Sequence, residues 1–384
     1  MNIISTIIIV LILLGLIYQL IAFFILKNEL QKNSNITVSG RKNYPFITIL
    51  KPIKGIDDQL KENLKSFFEL DYPQYEIIFG VQSFEDPAIE IINSVINSHP
   101  EIQARLIVSS NKIGLNPKIN NLYNMYPYVK GEIVLISDSN TRVKPDFLKL
   151  MANELIEPNV GLVTATIRGE GAKNSSSLME NIHLGSFLAP NVFAVGKLSD
   201  IKIVVGKALL IPKTVLEKIG GLQIFKNYLA EDYFMGVKIQ EYGYKVKNST
   251  VFVDNINEKW GFDKFLNRHS RWAKIRYQIN KNTYLLEIIS NPIFNSFILA
   301  ALLHNYVGLV QFIATILIKS FVDYLSLKTI DAKIKFHQLF FVPVKDLILG
   351  IIWFVPFINS SVNWRNNYFK IYRNTLLRPI LSET

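Results

Sequence analysis

The chain has 384 residues, of which 49% are hydrophobic, a formal net charge of +11 and no cysteine. This hydrophobic share is high for a soluble protein, so part of the chain is expected to lie in lipid. The absence of cysteine excludes disulfides, thiolate nucleophiles and cysteine-based metal sites. The five histidines are scattered without a pair at ligand spacing, so any metal must be held by carboxylate and substrate oxygens.

The basic residues are concentrated beside apolar runs. They follow the first apolar run, crowd residues 264–281 and recur near the C-terminus. The members of the first and last of these clusters are Lys27, Lys32, Arg41, Lys42, Lys51, Lys54, Arg365, Lys370, Arg373 and Arg378. Such juxtamembrane clustering is typical of the positive-inside rule, and no segment resembles an RNA- or DNA-binding module. We therefore expect a membrane-embedded protein with no nucleic-acid partner.

Residues 3–26 are almost wholly apolar and match the roughly 20 residues that a helix needs to cross a bilayer. The basic residues follow this run instead of preceding it, which predicts an uncleaved anchor and a cytosolic start to the remainder.

The last hundred residues contain two further apolar runs, 293–318 and 339–358. A His-Asn pair at 304–305 interrupts the first run, which is either one tilted span or two shorter segments. Lys345 and Asp346 lie early in the second run, and we expect them to snorkel or to lie in the membrane interface.

The segment between these apolar regions alternates short β-branched runs with helical patterns. The candidate strands are residues 46–50, 75–81, 104–109, 132–137, 160–166 and 202–211. Amphipathic helical patterns separate them, for example at 58–68, where the apolar residues share one face. Since most strands are continuous apolar runs, the pattern predicts an α/β fold with a mostly parallel sheet covered by helices.

Two aspartates follow predicted strands. Asp138 comes directly after the apolar run 133–136, and Asp86 lies in the loop after the run that ends at Val81. Ligands of open α/β sheets bind beyond the carboxyl ends of strands, where an acidic group can hold Mg²⁺ or Mn²⁺ against a diphosphate. Both aspartates also have a structural interpretation, Asp138 as a turn or cap residue and Asp86 as the cap of a helix that begins with Pro87.

Two further polar segments accompany these aspartates. Residues 231 and 232 are both acidic and open a helical stretch, a position where acids also complement the helix dipole. The segment 268–272 (RHSRW) continues a helical pattern that places Arg268, either Arg271 or Trp272, and Arg276 on one face. Guanidinium groups on that face can bind phosphate oxygens, although a basic helix near a membrane is also typical of a solvated or lipid-facing surface.

The order Asp, Asp, Asp, Arg-x-x-Arg-Trp resembles the signature of inverting GT-A glycosyltransferases of the family-2 kind. The chain resembles more closely the ceramide glucosyltransferase family and its bacterial, hopanoid-associated relatives. The matching segments are 49–55 (ILKPIKG), 68–73 (FELDYP), 79–82 (FGVQ), 86–89 (DPAI), 116–122 (NPKINNL), 160–163 (VGLV), 229–234 (LAEDYF) and 271–272 (RW). Each motif alone is weak, but their shared order over most of the chain makes the resemblance specific.

By this resemblance, Asp86 contacts the nucleotide, Asp138 holds the metal and the diphosphate, and Asp232 is the general base. The resemblance implies two additional donor-site residues, Lys118 and Asn120. The residues implied on the diphosphate and acceptor side are Arg268, Arg271 and Trp272. The implied cofactor is Mg²⁺ or Mn²⁺.

Two positions depart from the family pattern. Asn140 stands where the family often has a second acid or a glycine, which leaves Asp138 as the sole carboxylate ligand. The segment 186–191 (SFLAPN) is closer to the bacterial relatives than to the animal ceramide enzymes, so the acceptor need not be ceramide. The resemblance therefore implies an integral protein of a bacterial inner membrane with a cytosolic catalytic domain.

The implied activity is that of an inverting hexosyltransferase of glycolipid and sphingolipid biosynthesis. It would move a hexose from a UDP-sugar to a membrane lipid such as ceramide, diacylglycerol or a hopanoid. Among UDP-sugars, the resemblance favours UDP-glucose. The implied domains are a transmembrane anchor at 1–27, a cytosolic GT-A domain at 28–284, and a membrane region at 285–384 with two to three transmembrane or interfacial helices.

Three alternatives remain at this point. A processive polysaccharide synthase shares the catalytic core but needs a wide transmembrane channel, for which two or three C-terminal segments are few. A transporter should show many spans with paired repeats, which this sequence lacks. An inactive membrane scaffold should have lost some of the three aspartates, and all three are present.

Overall fold

The computed structural model describes residues 3–33, 43–199, 203–364 and 367–379. The described strands are β1 (Ile47–Pro52), β2 (Tyr75–Val81), β3 (Gln103–Val108), β4 (Ile133–Ser137), β5 (Thr141–Arg142), β6 (Val160–Glu170), β7 (Ala208–Pro212), β8 (Lys245–Ile256), β9 (Ser361–Trp364), β10 (Asn367–Ile371) and β11 (Leu377–Pro379). Four residues named in the sequence predictions lie outside the described residues, namely Arg41, Lys42, Lys202 and Arg365.

The described helices are α1 (Ile3–Asn33), α2 (Leu60–Lys65), α3 (Ala88–Asn97), α4 (Pro117–Met125), α5 (Phe147–Glu154), α6 (Ser175–His183), α7 (Ala189–Leu198), α8 (Lys213–Lys218), α9 (Glu231–Glu241), α10 (Phe262–Ile279), α11 (Lys281–Leu286), α12 (Pro292–Leu303), α13 (Tyr306–Thr329), α14 (Phe341–Ile352) and α15 (Val355–Ile358). A π-helical turn, Leu184–Leu188, joins α6 to α7.

The chain divides into two compact units. The sheet unit comprises Leu30–Arg168 and Leu198–Asn257, and the helical unit comprises Met1–Glu29, Gly169–Lys197 and Glu258–Thr384. The domain boundaries predicted after residues 27 and 284 follow a different criterion, the change of composition along the chain, and they stay a prediction.

An eight-stranded sheet forms the centre of the sheet unit, in the order β3-β2-β1-β4-β7-β6-β8-β5. Pairing is parallel from β3 to β4, as the continuous apolar runs predict. By contrast β7 runs antiparallel to β4 and to β6, and β5 runs antiparallel to β8. The sheet is therefore mixed, and the reversal at β7 brings its first residues to the carboxyl end of β4.

The core of the sheet unit explains which sequence predictions are accurate. Every residue of β1, β2 and β4 is buried, which fits strands covered on both faces. The run predicted at 202–211 forms a strand only from Ala208, since the described residues 203–207 have no strand pairing. The long strand β8 is absent from the sequence predictions because its polar residues and partial burial obscure any apolar run.

Within the described ranges, three helices are long and apolar enough to cross a membrane, by length and composition. They are Ile3–Lys32, Tyr306–Thr329 and Phe336–Ile358. A fourth candidate is a bent pair, Lys281–Ser290 and Pro292–Leu303, with an angle of 70° between its halves. Many large side chains of the first helix are exposed, including Ile3, Ile7 and Ile17, as a lipid-facing helix requires.

The first predicted C-terminal span forms two shorter segments, one of the two alternatives, whereas the second differs from its sequence description. The first is broken in two, because His304 adopts a left-handed conformation with φ 48° and Asn305 caps α13. In the second, Lys345 and Asp346 are buried and ion-paired, and Asp346 also lies 3.7 Å from Lys319 of α13. Neither side chain snorkels, because both are buried. Asp346 pairs with Lys345 of its own helix and lies near Lys319 of the neighbouring helix.

Candidate active site

The carboxyl ends of β1, β2 and β4 lie at one edge of the sheet, because these three strands are parallel. Asp138 follows β4 directly. The antiparallel strand β7 begins beside it, with Ala208 paired to Ser137 and the Asp138 amide donating to the Lys207 carbonyl at 3.2 Å. Residues 69 and 71 positions apart in the sequence therefore meet at the ligand-binding edge expected of an α/β sheet.

Asp138 is bound by two lysines. One carboxylate oxygen lies 2.9 Å from Lys118 Nζ and the other lies 2.9 Å from Lys207 Nζ. Burial would raise the pKa of Asp138, but these two ammonium groups outweigh it and hold the pKa well below its usual range. Asp138 is therefore ionised throughout the physiological range.

Lys118 lies at the start of α4, whose first turn is fixed by local sequence. The Asn116 side chain caps the helix by accepting from the Ile119 amide, and Pro117 occupies the first helical position. This cap directs Lys118 Nζ to Asp138, to the Gly206 carbonyl at 3.0 Å and to Glu231 at 3.2 Å. Burial would lower the pKa of Lys118, yet the surrounding carboxylates raise it above its usual value.

The two adjacent acids at the start of α9 have different environments. Glu231 is buried, pairs with Lys118 and accepts from the Asn116 side chain at 3.2 Å. Asp232 is partly exposed and accepts from the Gly206 amide at 2.9 Å and from the Tyr233 amide at 2.8 Å. Glu231 therefore orients Lys118, whereas Asp232 keeps part of its surface exposed and is held by backbone amides.

The pKa of Asp232 is raised above that of an ordinary aspartate. Burial first, and then the negative charge of Glu231, raise its pKa to about 6, against opposing contributions from Lys118 and the two backbone amides. A carboxylate with this pKa is mostly ionised at neutral pH and is a stronger base than an ordinary aspartate.

A buried lysine contacts the backbone of Asp138. Lys51 in β1 is fully buried, donates to the Asp138 carbonyl at 2.9 Å and lies over the Phe67 ring at 3.5 Å from its centroid. Burial lowers its pKa well below the usual value. Its hydrogen bond fixes the backbone of the turn after β4, from which the Asp138 side chain projects.

Two residues predicted for the donor site bind backbone groups in the structure. The Asp86 carboxylate accepts from the Gly55 amide at 3.0 and 3.1 Å and from the Ala88 amide at 2.9 Å. The Asn120 side chain accepts from the amides of Ile113 and Gly114, both at 3.0 Å. Both side chains hold loops beside the strand ends, and their roles in donor binding stay predictions.

Arg268 and Trp272 form a second cluster, which belongs to the helical unit. The Arg268 guanidinium lies 4.3 Å from the centroid of the Trp272 ring and 5.2 Å from that of Trp260. Its Nε lies 3.0 Å from the carboxylate of Glu180, which also lies 2.8 Å from His269 Nε2. The helix α10 that the sequence pattern predicts is present, and this buried glutamate fixes the orientation of its first half.

The pKa of each of the two histidines near this cluster is lowered. Burial is the main cause that lowers the pKa of His269, although Glu180 opposes it, and burial also lowers the pKa of His183. The centroids of the two rings lie 4.7 Å apart in an edge-on contact.

Arg271 lies on α10 with Arg268, and its predicted place on the diphosphate side stays a prediction.

The sequence predictions missed three residues that contribute to these clusters. Lys207 and Glu180 have no motif of their own, since the partners that reveal them are 69 and 88 residues away in the sequence. Glu231 was visible only as a neighbour of Asp232. A polar residue just before an apolar strand, as in Gly206-Lys207, is the one signal that could have pointed to Lys207.

Comparison with known proteins identifies the family. The family model described as Glycosyl transferase family 21 matches residues 7–377. Ceramide glucosyltransferase 3 of Caenorhabditis elegans is 28% identical over 343 residues, which cover 87% of this chain and 74% of that protein. Ceramide glucosyltransferase 1 of the same organism is 29% identical over 336 residues, covering 85% and 72%.

A solved structure supports the fold. A mannosyltransferase from Pyrobaculum calidifontis, in complex with GDP-Man and Mn²⁺, superposes with a TM-score of 0.50 at 16% identity. The match covers 89% of this chain and 98% of that one. The predicted α/β glycosyltransferase fold of the GT-A type is thereby confirmed.

Proposed function

Because the chain belongs to glycosyl transferase family 21, we propose that it moves a hexose from UDP-glucose to the hydroxyl of a membrane lipid such as ceramide, diacylglycerol or a hopanoid. The protein is a glycosyltransferase by its family and its fold. The observation that carries the proposal is the cluster in which a partly exposed Asp232 of raised pKa lies beside the Lys118–Asp138 ion pair. The donor sugar and the acceptor lipid are the proposed parts.

Transfer with inversion needs a base for the acceptor hydroxyl. In the proposed mechanism the Asp232 carboxylate takes the hydroxyl proton as the oxygen attacks the anomeric carbon, a contribution of about 10²–10⁴ in rate. The Gly206 and Tyr233 amides fix the direction of this carboxylate. Glu231 is engaged with Lys118 and is therefore unsuited to the same role.

The departing diphosphate needs positive charge. Lys118 supplies an ammonium group that its carboxylate partners keep protonated. Arg268, Arg271 and Trp272 are proposed for the diphosphate and acceptor side, and Asp86 for contact with the nucleotide. The Asn120 side chain is proposed to act through the loop at 113–114 that it binds.

The sheet unit could hold a divalent ion with only a few ligands from the protein. Among the described residues, no group of three or more His, Cys, Asp or Glu side chains comes together. The hard oxygen donors available are the Asp138 carboxylate and the Asn140 side chain, so most of the ligands would come from diphosphate and water. Held there, Mg²⁺ or Mn²⁺ would supply Lewis-acid stabilisation of the leaving diphosphate.

A direct test is transfer to lipid by purified protein in nanodiscs. UDP-glucose, UDP-galactose, UDP-N-acetylglucosamine and GDP-mannose, each radiolabelled, are offered with ceramide, diacylglycerol or a hopanoid. We expect a labelled monohexosyl lipid with UDP-glucose. A water-soluble polymer would instead favour a polysaccharide synthase, and no product with any pair would contradict the proposed function.

The pH dependence follows from the raised pKa of Asp232. Below about pH 6 the carboxylate becomes protonated and cannot accept a proton, so we expect kcat/KM to fall with decreasing pH and to be level above that value. Glu231→Gln removes a negative charge that raises the pKa of Asp232, so the midpoint should move to lower pH. A profile that is level down to pH 5 would contradict this assignment.

Membrane orientation can be measured with a single cysteine because the chain has none. We propose an integral protein of a bacterial inner membrane whose sheet unit faces the cytosol, where nucleotide sugars are made. Glu101 is exposed in the loop before β3. We expect an impermeant maleimide to label Glu101→Cys in inverted vesicles and not in intact cells. Labelling in intact cells would reverse the proposed topology.

A further inference from the structure

Lys207 lies in the cluster around Asp138 and Lys118 but belongs to no recognised motif of this chain. Its Nζ lies 2.9 Å from an Asp138 carboxylate oxygen and donates to the Asn140 side chain at 2.7 Å. Its side chain is 15% exposed. The backbone fixes its position, since the Lys207 carbonyl accepts from the Asp138 amide and its own amide donates to Val205 at 2.8 Å.

The two lysines on Asp138 differ in the partners that the structure describes for them. Lys118 is also bound to Glu231 and to the Gly206 carbonyl, so it stays in place if Asp138 changes partner. The contacts of Lys207 with Asp138 and Asn140 involve the same oxygens that would bind a divalent ion. A lysine side chain has a flexible four-carbon stem and can move its charge by several ångströms.

A divalent ion and two ammonium groups cannot share one carboxylate without strong repulsion. If Asp138 held such an ion, one lysine would need another anion, and the diphosphate of a bound donor would supply one. We propose that Lys207 is a ligand of the donor diphosphate, exchanging Asp138 and Asn140 for a diphosphate oxygen when the ion binds. This inference rests on the proposed function, because it assigns a new residue to the same donor site.

The exchange predicts opposite effects on two ligands from one substitution. Lys207→Met removes the ammonium group that competes for Asp138, so Mn²⁺ alone should bind several-fold more tightly. The same substitution removes a charged hydrogen bond to the diphosphate, so pyrophosphate and UDP-glucose in the presence of Mn²⁺ should bind about 10- to 100-fold more weakly. A residue with a purely structural role would weaken both.

The experiment measures Mn²⁺ binding by electron paramagnetic resonance without nucleotide, and pyrophosphate and UDP-glucose binding by calorimetry with Mn²⁺. The full-length protein in nanodiscs is used throughout. Lys213→Met is the matched control, because Lys213 follows the other end of β7 and bonds to the Val129 carbonyl. It should change neither affinity. Lys207→Arg keeps the charge, so its affinity for pyrophosphate should stay near the wild-type value.

Three results would overturn the proposal for Lys207: weaker Mn²⁺ binding in Lys207→Met, unchanged pyrophosphate binding in that variant, or equal changes in the Lys213→Met control. Circular dichroism and the melting temperature of Lys207→Met show whether this variant has a folding defect. If it has one, the same measurements on Lys207→Arg show whether the defect depends on the loss of the charge. Wild-type protein that binds pyrophosphate but no UDP-sugar would contradict the proposed donor. The Lys207 comparison would still be decided with pyrophosphate.

Discussion

Replacing Asp232 with Asn will abolish sugar transfer while leaving donor binding nearly unchanged. The amide lacks the basicity to accept a proton, so turnover should fall by about 10²–10⁴-fold. Its carbonyl can keep one of the two backbone hydrogen bonds that the carboxylate accepts, from Gly206 and Tyr233, so the loss of stability should be modest, on the order of 1 kcal/mol. Single-turnover transfer and UDP-glucose affinity measure the two effects separately.

Glu231→Gln is the matched control, because it removes the adjacent charge and keeps the shape. Glu231 binds Lys118 and the Asn116 side chain, so its loss should weaken donor binding and lower stability while transfer continues. Near-normal transfer by Asp232→Asn together with collapse in Glu231→Gln would move the base by one residue. Near-normal transfer by both variants would refute a carboxylate base on α9.

Asp138→Ala will remove the dependence of donor binding on a divalent ion. In the wild type we expect excess chelator to weaken UDP-glucose binding by about tenfold or more, since an ion held by Asp138 would supply Lewis-acid stabilisation to the diphosphate. In the variant, Mn²⁺ should have no effect on affinity, and turnover should fall because the leaving group has lost a Lewis acid. Calorimetry with and without Mn²⁺ measures the first effect.

Asp71→Ala is a suitable control for Asp138→Ala. Asp71 is also paired with a lysine, at 2.6 Å from Lys149, but its side chain is 69% exposed and it lies before β2, away from the carboxyl ends of the parallel strands. It should leave both the affinity and its metal dependence unchanged. Full activity of Asp138→Ala in excess chelator would show that Asp138 holds no metal.

The sequence was sufficient to predict the parts of the site that depend on local pattern. Asp138 could be placed because an apolar run ends directly before it, and α10 could be placed by its helical spacing. The first candidate span is one continuous apolar run. In each case the information lies within about ten to twenty residues, the range over which period and capping operate.

The rest of the site depends on strand pairing that sequence pattern does not encode. Lys207 meets Asp138 only because β7 runs antiparallel to β4, and an apolar run of five residues carries no sign of its direction. Glu180 is recognisable only from its contacts with Arg268 and His269. Asp86 and Asn120 show the converse, because their motif suggests ligand binding while their side chains bind backbone amides.

The buried charges of the membrane candidates illustrate the same limit. Lys345 beside Asp346 predicts snorkelling when one helix is considered alone. In the structure the pair is buried with Lys319 and Asp323, so the charges are balanced between two helices. The outcome depends on which helix faces which, and that is a tertiary property.

The anomeric configuration of the product tests the central claim most directly, namely that Asp232 deprotonates a lipid hydroxyl for a single displacement. The glycolipid formed from UDP-α-glucose is purified, and the coupling between its sugar H1 and H2 is measured by NMR. One inverting displacement predicts a large coupling, which identifies a β-linked glucoside. A small coupling, which identifies an α-linked product, would contradict direct attack by a hydroxyl activated at Asp232.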